Sequence, residues 1–228
     1  MNQFDYDTET LLHYQDPEVA RLYRDLSVEP GHGLQGFLAR TIRLAEQKAV
    51  GRALDRSLRG RTAESLLDVP CGTGKLATVV SGRAKRIVAA DVSEAMMELA
   101  RPAYTGVPGF EGFRVADAAE LPFRDGEFEV VVCLRLLHRV PQSLRRTMVR
   151  EMARVSSSLV ILSLGIVDPA QQLRLGLRRR LVPGTPVPVP CSSAEARELF
   201  EEAGLKPFRA RPILPMLSAE WVYAARKK

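Results

Sequence analysis

Residues 65–77, SLLDVPCGTGKLA, decide the fold. A short apolar run from Ser65 to Val69 ends in a turn holding Gly72 and Gly74, and Gly74 to Val80 reads as a helix. A buried strand feeding a glycine turn and a helix is the opening of a ligand-binding β-α unit, because glycine lets the backbone approach a ligand where a Cβ would clash. Three patterns compete for this turn. The phosphate loop G-x-x-x-x-G-K-[ST] fails twice, since position 69 is Val and Leu76 follows Lys75. The dinucleotide fingerprint matches Gly72-Thr73-Gly74-Lys75-Leu76-Ala77, with Asp91 about 20 residues on. Against a pyrophosphate stands Asp68 at the strand end, whose negative charge fits a cationic or zwitterionic ligand head.

Outward from this turn, strands and helices alternate. RIVAAD (86–91) is a second strand, followed by the helix SEAMMELAR (93–101) with Ser93 as its cap. FRVAD (113–117) and EFEVVVCLRLL (127–137) are a third and fourth strand. A helix from Pro141 to Val155 leads to the strand SLVILSL (158–164). SSAEARELFEEAG (192–204) is a helix capped by Ser192 or Ser193, and KPFRARPILPM and AEWVYAARKK form two last strands, a hairpin. Upstream, Asp16 to Leu26 and Gly36 to Leu58 have helical spacing. This order predicts an α/β fold, doubly wound around a mostly parallel seven-stranded sheet, with an N-terminal helical cap. One domain accounts for residues 1–228: a helical cap (1–60), a cofactor-binding core (63–164), a basic and proline-rich lid (168–191), and a C-terminal helix and strand pair (192–228).

Composition narrows the class. With 228 residues, 46% hydrophobic and 26% charged, the chain is neither disordered nor collagen-like. Cys71, Cys133 and Cys191 are widely spaced, which predicts reduced thiols and no disulfide framework. No apolar run reaches the roughly 18 residues of a membrane span, and the acidic, polar N-terminus is the opposite of a signal peptide. A cytoplasmic protein is expected. The net charge of +6 is concentrated between Arg135 and Arg180, where ten arginines face only Glu151 and Asp168. Lacking aromatic residues interleaved to stack bases, this stretch reads as a solvated face more than a nucleic-acid surface.

LLDVPCGTGKL, VAADVSEAMMELAR, VADAAELPF and VVVCLRLLHRVPQ, in that order, resemble the motifs of the class I S-adenosylmethionine-dependent methyltransferases, the group of ubiquinone/menaquinone and small-molecule enzymes in particular. The resemblance covers Ala63 to Leu164 and implies a Rossmann-like sheet of seven strands with the last antiparallel. It implies S-adenosylmethionine as cofactor, no metal, and transfer of a methyl group to an O, N or C nucleophile of a small-molecule acceptor, releasing S-adenosylhomocysteine. It places Asp68, Pro70, Gly72 and Gly74 in the glycine-rich motif, Asp91 on the ribose hydroxyls, Val92 and Met96 on the adenine ring, Asp117 and Ala118 at the adenine amino group, and Leu134 near the methyl end. Tyr14, Arg21 and Tyr23 resemble an N-terminal segment that folds over the cofactor; the two tyrosines read equally well as core residues. Pro70 departs from the family pattern, standing where its first glycine falls.

His138 follows the fourth strand on the acceptor side. It is either a general base for a protonated nucleophile or a satisfied loop residue. Lys75 reads as a solvated first-turn side chain, and Cys71 and Cys133 as packing residues. His13, His32 and His138 are too scattered to make a metal site. The arginines of the lid hint at an anionic acceptor. Three other readings stand beside this one: an RNA methyltransferase using the basic stretch 135–180, an NAD(P)-dependent Rossmann enzyme, and a non-catalytic S-adenosylmethionine-binding protein.

Overall fold

The computed structural model of the chain describes residues 34–166, 191–214 and 219–228. Its elements in chain order are α1 (Leu34–Leu58), β1 (Ala63–Asp68), α2 (Ala77–Val80), β2 (Ala84–Asp91), α3 (Glu94–Tyr104), β3 (Phe110–Val115), β4 (Phe128–Cys133), α4 (Gln142–Val155), β5 (Ser156–Gly165), α5 (Ser193–Glu202), β6 (Leu205–Pro212) and β7 (Glu220–Lys227). The seven strands form one sheet in the order β3-β2-β1-β4-β5-β7-β6. β1 to β5 pair in parallel, and β7 runs antiparallel between β5 and β6. This is the expected architecture.

Alternating strand residues feed two separate cores. Leu67, Val88, Val131 and Val160 pack with α4 and α5 on one face. Leu66, Ile87, Val130 and Ile161 pack with α1, α2 and α3 on the other. Both faces are covered, which is why the central strands read as unbroken apolar runs. Ser93 caps α3 by accepting from the Met96 amide, and α5 opens with a capping box between Ser192 and Glu195.

The local readings shift in two places. The helix expected over Gly74–Val80 is confined to Ala77–Val80, because the positive φ at Gly72 and Gly74 keeps the preceding residues in turns. The third strand is displaced toward the N-terminus: it starts at Phe110 and stops at Val115, ahead of a bridge between Asp117 and Glu120. The proline-rich lid and the N-terminal part of the cap lie outside the described residues. Ile166 and Cys191 pair with one another, so the chain leaves and rejoins the sheet at one point, the carboxyl end of β5.

The arginines of α4 divide: Arg150 stays on a solvated face, while others turn to partners within the chain. Arg145 is buried, with Nε donating to the Leu137 carbonyl (2.8 Å) and Nη2 to the Val140 carbonyl (3.3 Å). Arg154 pairs with Glu151 and Asp125 and donates to the carbonyls of Leu121 and Phe123. Arg146 and Arg150 reach Glu202 on α5. Replacing Arg145 strands buried carbonyls, whereas an exposed ion pair contributes little. Arg145→Met is therefore expected to cost about 2–3 kcal/mol of unfolding free energy, and Arg150→Ala less than about 0.5 kcal/mol, both read from denaturant titrations.

Candidate active site

The strand order reverses between β1 and β4, and open sheets of this type hold ligands at the carboxyl ends of strands beside such a switch point. A cavity lies there. Its walls come from the turn after β1 (Pro70, Gly72, Lys75), from the end of β2 and the start of α3 (Asp91, Val92, Met96), and from the segment after β4 (Leu134, Arg135, Arg139).

The turn after β1 is tied to both neighbouring strands. Val69 donates its amide to the Val132 carbonyl, and Cys71 donates to the Ala90 carbonyl. Gly72 then donates to Asp91 Oδ2 (2.8 Å), while the Ser93 amide donates to Oδ1 (3.0 Å). Two backbone donors thus fix the orientation of the Asp91 carboxylate. Burial raises its pKa, and the amides of Ser93, Gly72 and Val92 oppose that shift. Gly72 and Gly74 both have positive φ but serve different ends. A Cβ on Gly72 would meet nothing within 4 Å, so the backbone borders open space. A Cβ on Gly74 would stand 2.9 Å from the Ala103 Cβ and 3.2 Å from the Ala100 backbone, so this glycine lets α3 lie against the turn.

The structure brings Pro70, Gly72, Asp91, Val92, Met96 and Leu134 together on one wall system. Asp68, Gly74, Asp117, Ala118 and His138 are not on that lining. Asp68 sits behind it, fully buried, accepting from the Tyr104 hydroxyl at 2.5 Å and leaving Oδ1 without a hydrogen-bond partner among the described residues. Burial pushes its pKa up to about 7, against the Tyr104 hydrogen bond and aided by the nearby Asp91 charge. Asp117 accepts from the Ala119 amide, and Ala118 is buried in the core. Tyr14, Arg21 and Tyr23 lie outside the described residues. Cys71 and Cys133 are buried and burial raises their pKa values, in keeping with packing residues.

Lys75 corrects the expectation of a solvated side chain. It is half-buried on the cavity wall, and burial together with Arg135 lowers its pKa to about 8. Also beyond the reach of local sequence is a polar cluster beneath the segment after β4. Arg135 takes a positive φ of 64°, donates its amide to Ser163 Oγ and pairs through Nη1 with the buried Glu46 at 2.5 Å. Ser163 Oγ donates to Glu220 Oε1 (2.7 Å), and His138 Nδ1 lies 3.6 Å from the same oxygen. His138 is buried, and desolvation with the nearby Arg135 charge lowers its pKa to about 4, so the ring is neutral at pH 7.

Comparison with known proteins agrees with this geometry. Residues 66–158 match the family described as "Methyltransferase domain". The 27-O-demethylrifamycin SV methyltransferase of Amycolatopsis mediterranei (strain S699) is 30% identical over 190 residues, which is 79% of this chain and 69% of that protein. The demethylmenaquinone methyltransferase of Clavibacter sepedonicus is 37% identical over 79 residues, 35% of this chain and 32% of that protein, so the chain spans only about a third of that relative. The crystal structure of magnesium protoporphyrin IX methyltransferase from Synechocystis PCC 6803 with bound S-adenosylhomocysteine superposes with a TM-score of 0.77 at 19% identity, covering 97% of this chain and all of that one, a likeness of fold. The chain belongs to the class I S-adenosylmethionine-dependent methyltransferases. As a member of that class it is a methyltransferase. Among the described residues no group of His, Cys, Asp and Glu could hold a metal ion, and no helix is long and apolar enough to cross a membrane.

Asp68 and His138 make opposite demands on pH. The folded-state pKa of Asp68 is raised from 3.8 to about 7, so its contribution to stability is full below the lower value and is lost as pH rises through the upper. That of His138 is lowered from 6.5 to about 4, so its contribution is present above 6.5 and is lost as pH falls toward 4. Between those limits the two offset one another in the native protein. Relative to the unsubstituted protein, thermal unfolding of Asp68→Asn is expected to show stability climbing between about pH 4 and pH 7, and that of His138→Gln to show it falling between about pH 4 and pH 6.5. Profiles parallel to that of the unsubstituted protein in both variants would contradict these assignments.

Proposed function

We propose that the cavity at the carboxyl ends of β1, β2 and β4 holds S-adenosylmethionine and that the chain methylates a small anionic acceptor beside it. The observation that carries this reading is Asp91: a buried carboxylate on the cavity wall, aimed by the amides of Gly72 and Ser93. Such a group is suited to accept from a pair of ribose hydroxyls. The open space beside Gly72 is what a close-lying ligand requires. In this reading Val92 and Met96 pack on the adenine ring, Asp117 and Ala118 border its amino group, and Pro70, Gly72 and Leu134 line the methionine side. Gly74 and Asp68 act from behind, one by admitting α3 and the other by holding Tyr104.

The cofactor supplies an electrophilic methyl group on a sulfonium. What remains for the protein is to align a nucleophile with that carbon and to exclude water, and positioning supplies much of the rate in such displacements. Lys75, Arg135 and Arg139 give the cavity a cationic side, which supports an anionic acceptor. The relatives are named for small molecules, 27-O-demethylrifamycin SV and demethylmenaquinone, which supports a small-molecule acceptor over RNA. The ion pairs of the α4 arginines point the same way. His138, buried and off the lining, is assigned to the polar cluster around Glu220 in place of proton transfer. Three unpaired buried cysteines support a cytoplasmic location.

Calorimetric titration tests this reading. S-adenosylhomocysteine is expected to bind, and NADH and NADPH are not. Asp91→Ala is expected to weaken that binding by about 1–3 kcal/mol, the range for hydrogen bonds to a charged group. Unchanged affinity in the variant would remove Asp91 from the ribose, and binding of a nicotinamide cofactor alone would overturn the reading as a whole.

A further inference from the structure

A second cavity lies away from the strand ends, between α1 and the β6–β7 edge of the sheet, and shares no lining residue with the first. It encloses about 450 Å³, against about 140 Å³ for the strand-end cavity. Two rows of cations face each other across it. Lys48, Arg52 and Arg56 are spaced four apart on α1, hence on one helix face and spread over about 12 Å at 1.5 Å per residue. Arg209 and Arg211 are two apart on β6, hence on one face of that strand.

Among the described residues no carboxylate lines this groove. Asp55, between Arg52 and Arg56 in sequence, pairs with Arg83 instead. The Nε of Arg209 is buried and lacks a hydrogen-bond partner among the described residues. A buried donor left unpaired is costly, and five cations gathered without a counter-charge repel one another. Between the rows the wall is apolar: Ala49 and Ala53 from α1, Ile213 after β6, and Val222 and Ala224 from β7. Among the described residues no aromatic side chain lines the groove to stack bases. Its concave shape suits a single molecule more than a flat bilayer.

We propose that this groove binds an anionic amphiphile, a free molecule whose phosphate, sulfate or carboxylate head meets the two cation rows and whose apolar body lies on the wall between them. Ligand oxygens neutralise the facing charges, while the apolar wall removes the body from water.

The test is calorimetry on the full chain with dodecyl phosphate below its micelle concentration, beside dodecyl maltoside, inorganic phosphate and a thymidine oligonucleotide. Dodecyl phosphate is expected to bind at least about tenfold tighter than the other three, since charge and apolar contact act together. The exposed pair Arg52→Glu/Arg56→Glu is expected to weaken it by about tenfold or more while leaving the unfolding midpoint no lower and S-adenosylhomocysteine affinity unchanged. Lys48→Glu repeats the test at a third position. Equal binding of dodecyl maltoside, which carries no charge, would overturn the proposal, as would charge-reversed variants that bind dodecyl phosphate normally. Tighter, charge-dependent binding of the oligonucleotide would assign the groove to nucleic acid and overturn it too. Because S-adenosylhomocysteine is followed separately, failure here is distinguishable from failure of the strand-end assignment.

Discussion

The backbone leaving β1 is held on both sides, by Val69 to Val132 of β4 and by Cys71 to Ala90 of β2, and the next amide, that of Gly72, holds Asp91. Three walls of the strand-end cavity follow from this one turn. The first is the turn itself, which stays close to the sheet because Gly72 and Gly74 adopt positive φ. The second is the end of β2, where the carboxylate of Asp91 has its direction set by a donor from the neighbouring loop. The third is α3, whose last turns can approach because Gly74 has no side chain to strike Ala100 and Ala103. The site is thus built mainly from backbone geometry, with few side chains carrying specific chemistry.

The distribution of charge follows a second logic. A net charge of +6 invites the idea of an external polyanion, yet Arg145 and Arg154 of α4 turn to carbonyls and carboxylates of the same chain. Arg145 and Arg154 act as struts between the segment after β4, the turn before β4 and helix α4. Arg135 does the same for α1 by pairing with Glu46, which links the helix to the floor of the site. Among the described residues, Lys48, Arg52, Arg56, Arg209 and Arg211 have no carboxylate partner, and they line the groove beside α1. Composition alone cannot separate these two populations, because both are arginines on helices and strands of ordinary pattern.

The core of the fold was legible because its signals are local. Apolar runs marked the central strands, Ser93 and Ser192 marked helix starts by side-chain caps, and the glycine turn with Asp91 marked the cofactor end. Local sequence is less decisive where only one neighbour specifies an element: β3, an edge strand, lies at Phe110–Val115, N-terminal of the position its pattern predicts. It is least decisive for contacts between distant positions. Tyr104 on Asp68, Glu46 on Arg135 and Glu220 beside His138 are separated by tens of residues, and nothing in their local surroundings announces them. Lys75 was misread for the same reason, since the groups that crowd it come from α1 and from the segment after β4. The expectations for Tyr14, Tyr23 and the lid fall on residues outside those the structure describes.

The assignment of the strand-end cavity is tested most directly by a crystal structure of the chain with S-adenosylhomocysteine bound. The account predicts both ribose hydroxyls within hydrogen-bond distance of the Asp91 carboxylate, the adenine ring against Val92 and Met96, and Gly72 in contact with the methionine portion. A ligand seated elsewhere, or one whose ribose avoids Asp91, would contradict it.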